Sequence, residues 1–262
     1  MEIEAGLNKQ MPPTPDEIET RVNEQAAIVE DRLEHIPDSY SMPDLEDMTL
    51  HTAKKFDLGI VFVDINDFTD YTDRNDYDEV LFMLNLFIPE AMELVRDYDG
   101  YFEKNTGDGI MAYFGAGEDD EDTAELAVEY FSALKYALAN HINPCLSRHG
   151  IEPISISAGA TMGKAYISRI GVHSLNRRTA ISVAANVASK LEHASGTNEY
   201  YVGEGIYKYT HEAFDKNPFE KLGHFTPYVW ENEETGERTP YQHYNFVGGW
   251  EGTKWTNLEP VE

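Results

Sequence analysis

Cysteine is almost missing: Cys145 stands alone among 262 residues. That excludes an internal disulfide and any multi-cysteine metal centre. Basic charge is scarce too, with 20 Lys and Arg against 48 Asp and Glu and a formal charge of −28. Such a chain repels nucleic acid and anionic membranes, so neither is expected as a partner. Long apolar runs are absent, since the stretches around Leu58–Val63 and Leu81–Ile88 are too short to span a bilayer. The acidic start Met1-Glu2-Ile3-Glu4 lacks a basic region followed by an apolar one, so no secretory signal is expected. Together these absences indicate a soluble, cytoplasmic protein. There is no Gly-x-x-x-x-Gly-Lys-Ser/Thr phosphate loop and no Gly-x-Ser-x-Gly nucleophile turn. Histidines such as His141, His149, His173, His193 and His211 occur singly, which gives a zinc site little support.

What is present suffices for a core: 41% hydrophobic residues, 12% of the chain aromatic. Residues 1–50 read as an N-terminal extension with one helix over about 15–35. Thr14 or Asp16 caps it, and Ile18, Val22, Ala26, Val29 and Leu33 form its apolar stripe. Residues 37–57 read as a linker. A central domain over 51–213 opens with a buried strand at 58–64, a polar turn (67–76) and a helix over 78–97. A hairpin with strands 101–105 and 110–114 follows, then a helix reaching Asn140 behind the acidic loop Glu118–Asp122. Ile154, Ile156, Ala158, Ala160 and Met162 alternate with Ser155, Ser157, Gly159 and Thr161, the period of a half-buried strand. Further elements are a strand at 164–170, a helix at 183–194 and a strand at 200–202. Residues 214–262 form a C-terminal extension, with a hairpin near Tyr228-Val229-Trp230 and Tyr244–Val247 that completes the sheet. Hairpins mixed with helices predict an α+β domain, its helices on one face of a mainly antiparallel sheet.

Two carboxylates stand out. Asp64 ends the first buried strand, and Asp108 sits in the turn Lys104-Asn105-Thr106-Gly107-Asp108-Gly109. If the fold brings them together, they can share two divalent cations and support an in-line phosphoryl displacement. Duller readings exist for each. Gly-Asp-Gly suits a hairpin turn for backbone reasons, and an Asp after a strand can cap the next segment. An EF-hand starting at Asp64 fails, because Phe68 and Thr69 fall where an oxygen ligand and a glycine belong. A triphosphate would also need positive charge in so acidic a chain. Lys164, Arg169, Arg177, Arg178 and Lys190 lie close in sequence and are expected to supply it.

Three stretches in order resemble the motifs of class III nucleotidyl cyclases: Phe62-Val63-Asp64-Ile65-Asn66-Asp67-Phe68-Thr69, Glu103–Ala112 around Gly107-Asp108-Gly109, and Ala185-Asn186-Val187-Ala188-Ser189-Lys190-Leu191. The resemblance covers about residues 56–213. It implies the ferredoxin-like α+β cyclase fold and a homodimer with its sites at the interface. Asp64 and Asp108, with the Ile65 carbonyl, would hold two Mg²⁺ or Mn²⁺ ions per site. Phe68 and Thr69 would offer backbone amides to phosphate. Asn186 would orient the ribose and Lys190 would stabilise charge on the α-phosphoryl group. Lys104 and Thr179 occupy the positions that contact the base. Two departures bear on activity and substrate. Lys190 stands where the family usually has Arg, keeping the charge but losing the bidentate fork. Thr179 replaces an acidic residue, leaving no carboxylate for a guanine base. The wording Ala-Ala-Asn-x-Ala-Ser-Lys-Leu looks most like the pyrimidine cyclases of Pycsar antiphage defence, whose cyclic UMP or cyclic CMP activates a separate effector. The expectation is a pyrimidine cyclase, UTP ahead of CTP. An adenylate cyclase and a catalytically silent nucleotide-binding dimer module are the alternatives.

Overall fold

The computed structural model describes residues 36–43, 47–105, 107–173, 175–211, 217–231, 236–250 and 258–260, with scattered positions from 20 to 34. Of the expected N-terminal stripe, Ala26 and Val29 are helical, while Ile18, Val22 and Leu33 lie outside the described residues.

Strand β1 (Ala53–Ile65) is the centre of the architecture. It begins five residues before the apolar run at Leu58, because Phe56 is buried and Ala53 pairs with Ser168 across the neighbouring strand. Helix α1 (Phe68–Arg74) follows, occupying what reads as a polar turn. Its buried residue is Tyr71, whose hydroxyl donates to the Glu152 carbonyl at 3.0 Å. Helix α2 (Tyr77–Asp97) starts with a capping box between Asp76 and Glu79. The hairpin β2 (Tyr101–Asn105) and β3 (Ile110–Phe114) comes next. Helix α3 (Asp120–Ala137) is capped by the Asp119 carboxylate and runs through a wide turn into α4 (Asn143–Arg148).

The two strands expected at 154–162 and 164–170 are one strand, β4 (Ile156–Val172), which turns back as β5 (Leu175–Ile181). The sequence hides this arm because Arg177 and Arg178 interrupt any simple alternation. Helix α5 (Val183–Ala194), strand β6 (Tyr200–Gly203) and the short α6 (Glu204–Thr210) follow. The chain then forms β7 (Phe219–Glu231), β8 (Arg238–Phe246) and a two-stranded pair, β9 (Gly248–Trp250) with β10 (Leu258–Pro260).

Among the described residues the main sheet runs β2-β3-β1-β4-β6-β8-β7, with β5 paired to β4. Its pairs are antiparallel except β4 with β6, which α5 connects. Alternation along β1 sorts side chains to two faces. Val61, Val63 and Ile65 join Met83, Phe87 and Phe131 under α2 and α3. Phe56, Leu58 and Ile60 pack on the other face with Met111, Tyr113 and the α5 residues Ala184, Ala185 and Ala188. Helices therefore cover both faces rather than one, and α5 is the helix on the second face.

The approach of α5 to β4 is close enough to require glycine. A Cβ on Gly159 would lie 2.2 Å from both the Ala188 carbonyl oxygen and the Glu192 amide nitrogen. Both are backbone atoms, so relief means moving the helix. Gly159→Ala is expected to destabilise the protein by about 1–3 kcal/mol, the range for an overpacked interior. Denaturant unfolding of the two proteins measures this.

Candidate active site

Asp64 lies one residue before the end of β1, on the α5 face. Its register partner on β4 is Ser157, and the last matched pair toward β3 is Val63 with Ile110. That register places the turn carrying Asp108 beside Asp64. The two carboxyl groups approach closely enough to share a proton. Asp64 Oδ1 is buried with no hydrogen-bond partner, and so is Asn66 Oδ1 two residues on. An anionic oxygen held from water without a donor is a costly arrangement unless something positive completes it.

Burial pushes the Asp64 carboxyl up to about 7, reinforced by the negative charges of Asp108 and Glu192. Burial raises Asp108 as well. Glu192, on the inward side of α5, is raised by burial too, while accepting a hydrogen bond from Ser157 Oγ at 3.0 Å. Two carboxylate oxygens beside an orphan acceptor suit a hard divalent cation, which takes oxygen ligands. The residues present therefore fit Mg²⁺ or Mn²⁺. Among the described residues no group of three His, Cys, Asp or Glu side chains forms a ready-made metal cage. The remaining ligands would come from substrate oxygens and water.

The other sequence-identified residues sit elsewhere. Asn186 and Lys190 are exposed on the outward side of α5. Asn186 lines a cavity of about 860 Å³ with Thr161, Met162, Val183, Tyr228 and Tyr241, and neither aspartate reaches it. Lys190 Nζ donates to the Pro227 carbonyl at 3.4 Å. That carbonyl lies in the stretch of β7 where the β7–β8 register shifts, between His224 and Val229. Phe225 from the same stretch is buried against Val187 and Leu191 of α5. Lys104 is exposed on β2 and Thr179 is half-buried on β5. Phe68 and Thr69 open α1 behind Asp67, which takes the left-handed conformation (φ 53°) and makes no side-chain cap. One chain thus brings Asp64, Asp108 and the start of α1 together, and keeps Asn186 apart from them.

The expected basic cluster is dispersed, because two of its members are used by the fold. Arg178 forms an ion pair with Glu103 at 2.9 Å, the two side chains only 17% and 4% exposed, and donates to the Phe102 carbonyl at 2.8 Å. The Tyr113 hydroxyl joins Glu103 from β3. This buried triad ties β2 to β5, the strands that carry Lys104 and Thr179. Sequence reading missed it, since an Arg and a Glu 75 positions apart give no local signal. Arg169 donates to Asn176 Oδ1 at 2.7 Å and to the Met48 carbonyl at 2.8 Å. Glu192 was missed as well, although it follows directly on the third motif.

The carboxylate pair has a consequence for stability. A carboxyl raised in the folded state binds its proton more tightly there than in the unfolded chain, so stability falls as pH rises from about 4 to 7. In chelator-treated protein, Asp64→Asn is expected to raise the melting temperature at pH 7.5 and to flatten its decline between pH 5 and 7. Thermal melts across that range check both.

Residues 51–224 match the model of the adenylate and guanylate cyclase catalytic domain. A cytidylate cyclase of Staphylococcus aureus is 29% identical over 57% of the chain and 36% of its own length, so the chain spans about a third of that relative. A uridylate cyclase of Burkholderia cepacia is 24% identical over 62% of the chain and 71% of its own length. The adenylyl cyclase CyaB from P. aeruginosa superposes with a TM-score of 0.66 at 22% identity, over 77% of this chain and 99% of that one. With one half-buried aspartate near the end of β1, a second in the adjoining hairpin turn, and two thirds of its length matched, the chain belongs to the class III family of adenylate and guanylate cyclase catalytic domains.

Proposed function

We propose that the protein is a metal-dependent nucleotidyl cyclase that converts a pyrimidine nucleoside triphosphate to its 3′,5′-cyclic monophosphate and pyrophosphate. The observation that carries this reading is the convergence of Asp64 and Asp108, with Asp64 Oδ1 buried and unpartnered. Two divalent ions held there, with the Ile65 carbonyl as a further ligand, would supply a deprotonated 3′-hydroxyl and neutralise the leaving pyrophosphate. The chain's own residues do the rest. Amides at Phe68 and Thr69 receive phosphate oxygens at the uncapped start of α1. Asn186 orients the ribose, and Lys190 places its charge on the α-phosphoryl group.

The active form in this reading is a homodimer. Asn186 and the aspartate pair face different spaces in one chain, so a complete site takes the aspartates from one protomer and the α5 residues from its partner. The β4–β5 arm supports it by presenting Ile170, Val172, Leu175 and Ile181 at 46–73% exposure, apolar surface suited to a second copy.

Base choice rests on finer ground. Thr179 offers a guanine no carboxylate, and relatives named for cytidylate and uridylate cyclase activity match over 57% and 62% of the chain. A pyrimidine product serving as a second messenger for a separate effector, as in Pycsar antiphage defence, follows from that likeness. The adenylate alternative is supported by Lys104, kept as in purine cyclases.

One experiment separates these readings. The purified protein is incubated with Mn²⁺ and each of ATP, GTP, CTP and UTP, and products are identified by mass spectrometry. Cyclic UMP or cyclic CMP is expected. Cyclic AMP alone would replace the pyrimidine reading with the adenylate one, and no cyclic product from any triphosphate would overturn the enzymatic reading. Asp108→Asn and Lys190→Ala should each lower kcat by about 10²–10³-fold or more, the scale lost with a principal electrostatic group.

A further inference from the structure

Helix α5 carries Asn186 and Lys190 on its outward side, and its inward side carries one more ionisable group, Glu192. The backbone of α5 is pressed onto β4 at this residue: Gly159 leaves its Cβ position to the Glu192 amide nitrogen and the Ala188 carbonyl, each 2.2 Å away. The side chain is tethered as well as packed, since Ser157 Oγ donates to Glu192 Oε1 at 3.0 Å. Ser157 is the residue directly across the ladder from Asp64. Glu192 is therefore fixed, by one hydrogen bond and one helix contact, beside the strand position that presents the buried and unpartnered Asp64 Oδ1.

Among the described residues no basic side chain is ion-paired with it. Burial raises the Glu192 pKa most and Asp108 adds to that, while the Ser157 hydroxyl and His193 act in the other direction. Asp64 meets Asp108 and Glu192 as its charged neighbours. A carboxylate whose only purpose was to receive the Ser157 hydroxyl could be replaced by an amide or a serine without crowding three acids into one place. Among the described residues the three side chains do not form a common cage, so the role argued for Glu192 is not that of a direct ligand.

We propose that Glu192 is a positioning residue of the cation site, acting on the ions at Asp64 and Asp108 through their bound water and adding its fixed negative charge to the field that retains them. This rests on the cyclase reading of the site. Outer groups of this kind orient ligands and raise metal affinity, and their loss commonly costs about 10–100-fold in binding.

The test uses the full chain and Mn²⁺ alone, with free Mn²⁺ followed by electron paramagnetic resonance. Glu192→Gln keeps the side-chain length and an acceptor for Ser157 while removing the charge. It is expected to weaken Mn²⁺ binding about tenfold, with the melting temperature in chelator no lower than that of the parent. Glu192→Asp, which restores the charge, should recover part of the affinity. An unchanged Kd in Glu192→Gln overturns the proposal. If that variant does not fold, Ser157→Ala decides the matter: freeing the carboxylate from its tether should weaken binding, and an unchanged Kd overturns the proposal equally. Asp64→Asn separates this inference from the one beneath it. Mn²⁺ binding indifferent to Asp64 removes the cyclase reading of the site, while binding that needs Asp64 and ignores the charge of Glu192 removes only the role given to Glu192.

Discussion

Two like-charged groups held close together in a partly dry place repel each other, and the Asp64 and Asp108 carboxyls are held in that way. Two unit charges about 4 Å apart repel by roughly 4 kcal/mol at an effective dielectric near 20. The folded chain bears this strain through proton uptake: burial first, and then the charges of Asp108 and Glu192, push the Asp64 carboxyl up to about 7. A divalent cation turns the same arrangement from repulsive to attractive. Affinity for the ion is thus stored as a cost in the protein alone, and the surrounding structure must be firm enough to carry it.

The firmness comes from the centre of the sheet. β1 is paired to β4 along its whole length and to β3 over Gly59–Val63, and its odd-numbered positions from Val61 are buried under α2 and α3. Slipping the register by one residue would send Asp64 into that apolar layer and bring Val63 to the site. On the opposite face the alanines of α5 and the β4 glycines Gly159 and Gly163 let helix and strand meet at short range. The same helix therefore fixes Glu192 inward and displays Asn186 and Lys190 outward. In the proposed homodimer this one element would serve two half-sites and tie substrate contact to protomer pairing.

Much of this was legible in the sequence where the signal is local. The strand that ends in Asp64, the hairpin that carries Asp108 and the helix at 183–194 all follow from short-range pattern, and the aspartates meet because neighbouring strands share ends. The three motifs identified the family on the same local footing. Other features depend on contacts between distant positions. Arg177 and Arg178 look like free cations in sequence, yet Arg178 is buried against Glu103, and β5 itself becomes a strand only by pairing with the far half of β4. Helix α1 gives no periodic signal, because its seven residues are mostly polar and Tyr71 is the buried one, so its start at Phe68 is implied by the family resemblance and not by pattern. The face occupied by α5 could not be read either, since an alanine-rich helix suits both sides of a sheet and the deciding glycines lie on another strand.

The most direct test of the central claim is a crystal structure of the protein with Mn²⁺ and a non-reactive pyrimidine triphosphate analogue, with ions located by anomalous scattering. The account predicts two manganese peaks bridging Asp64, Asp108 and the triphosphate oxygens of one protomer, with Asn186 and Lys190 of the partner closing over the nucleotide. Manganese and nucleotide bound away from both aspartates would contradict it.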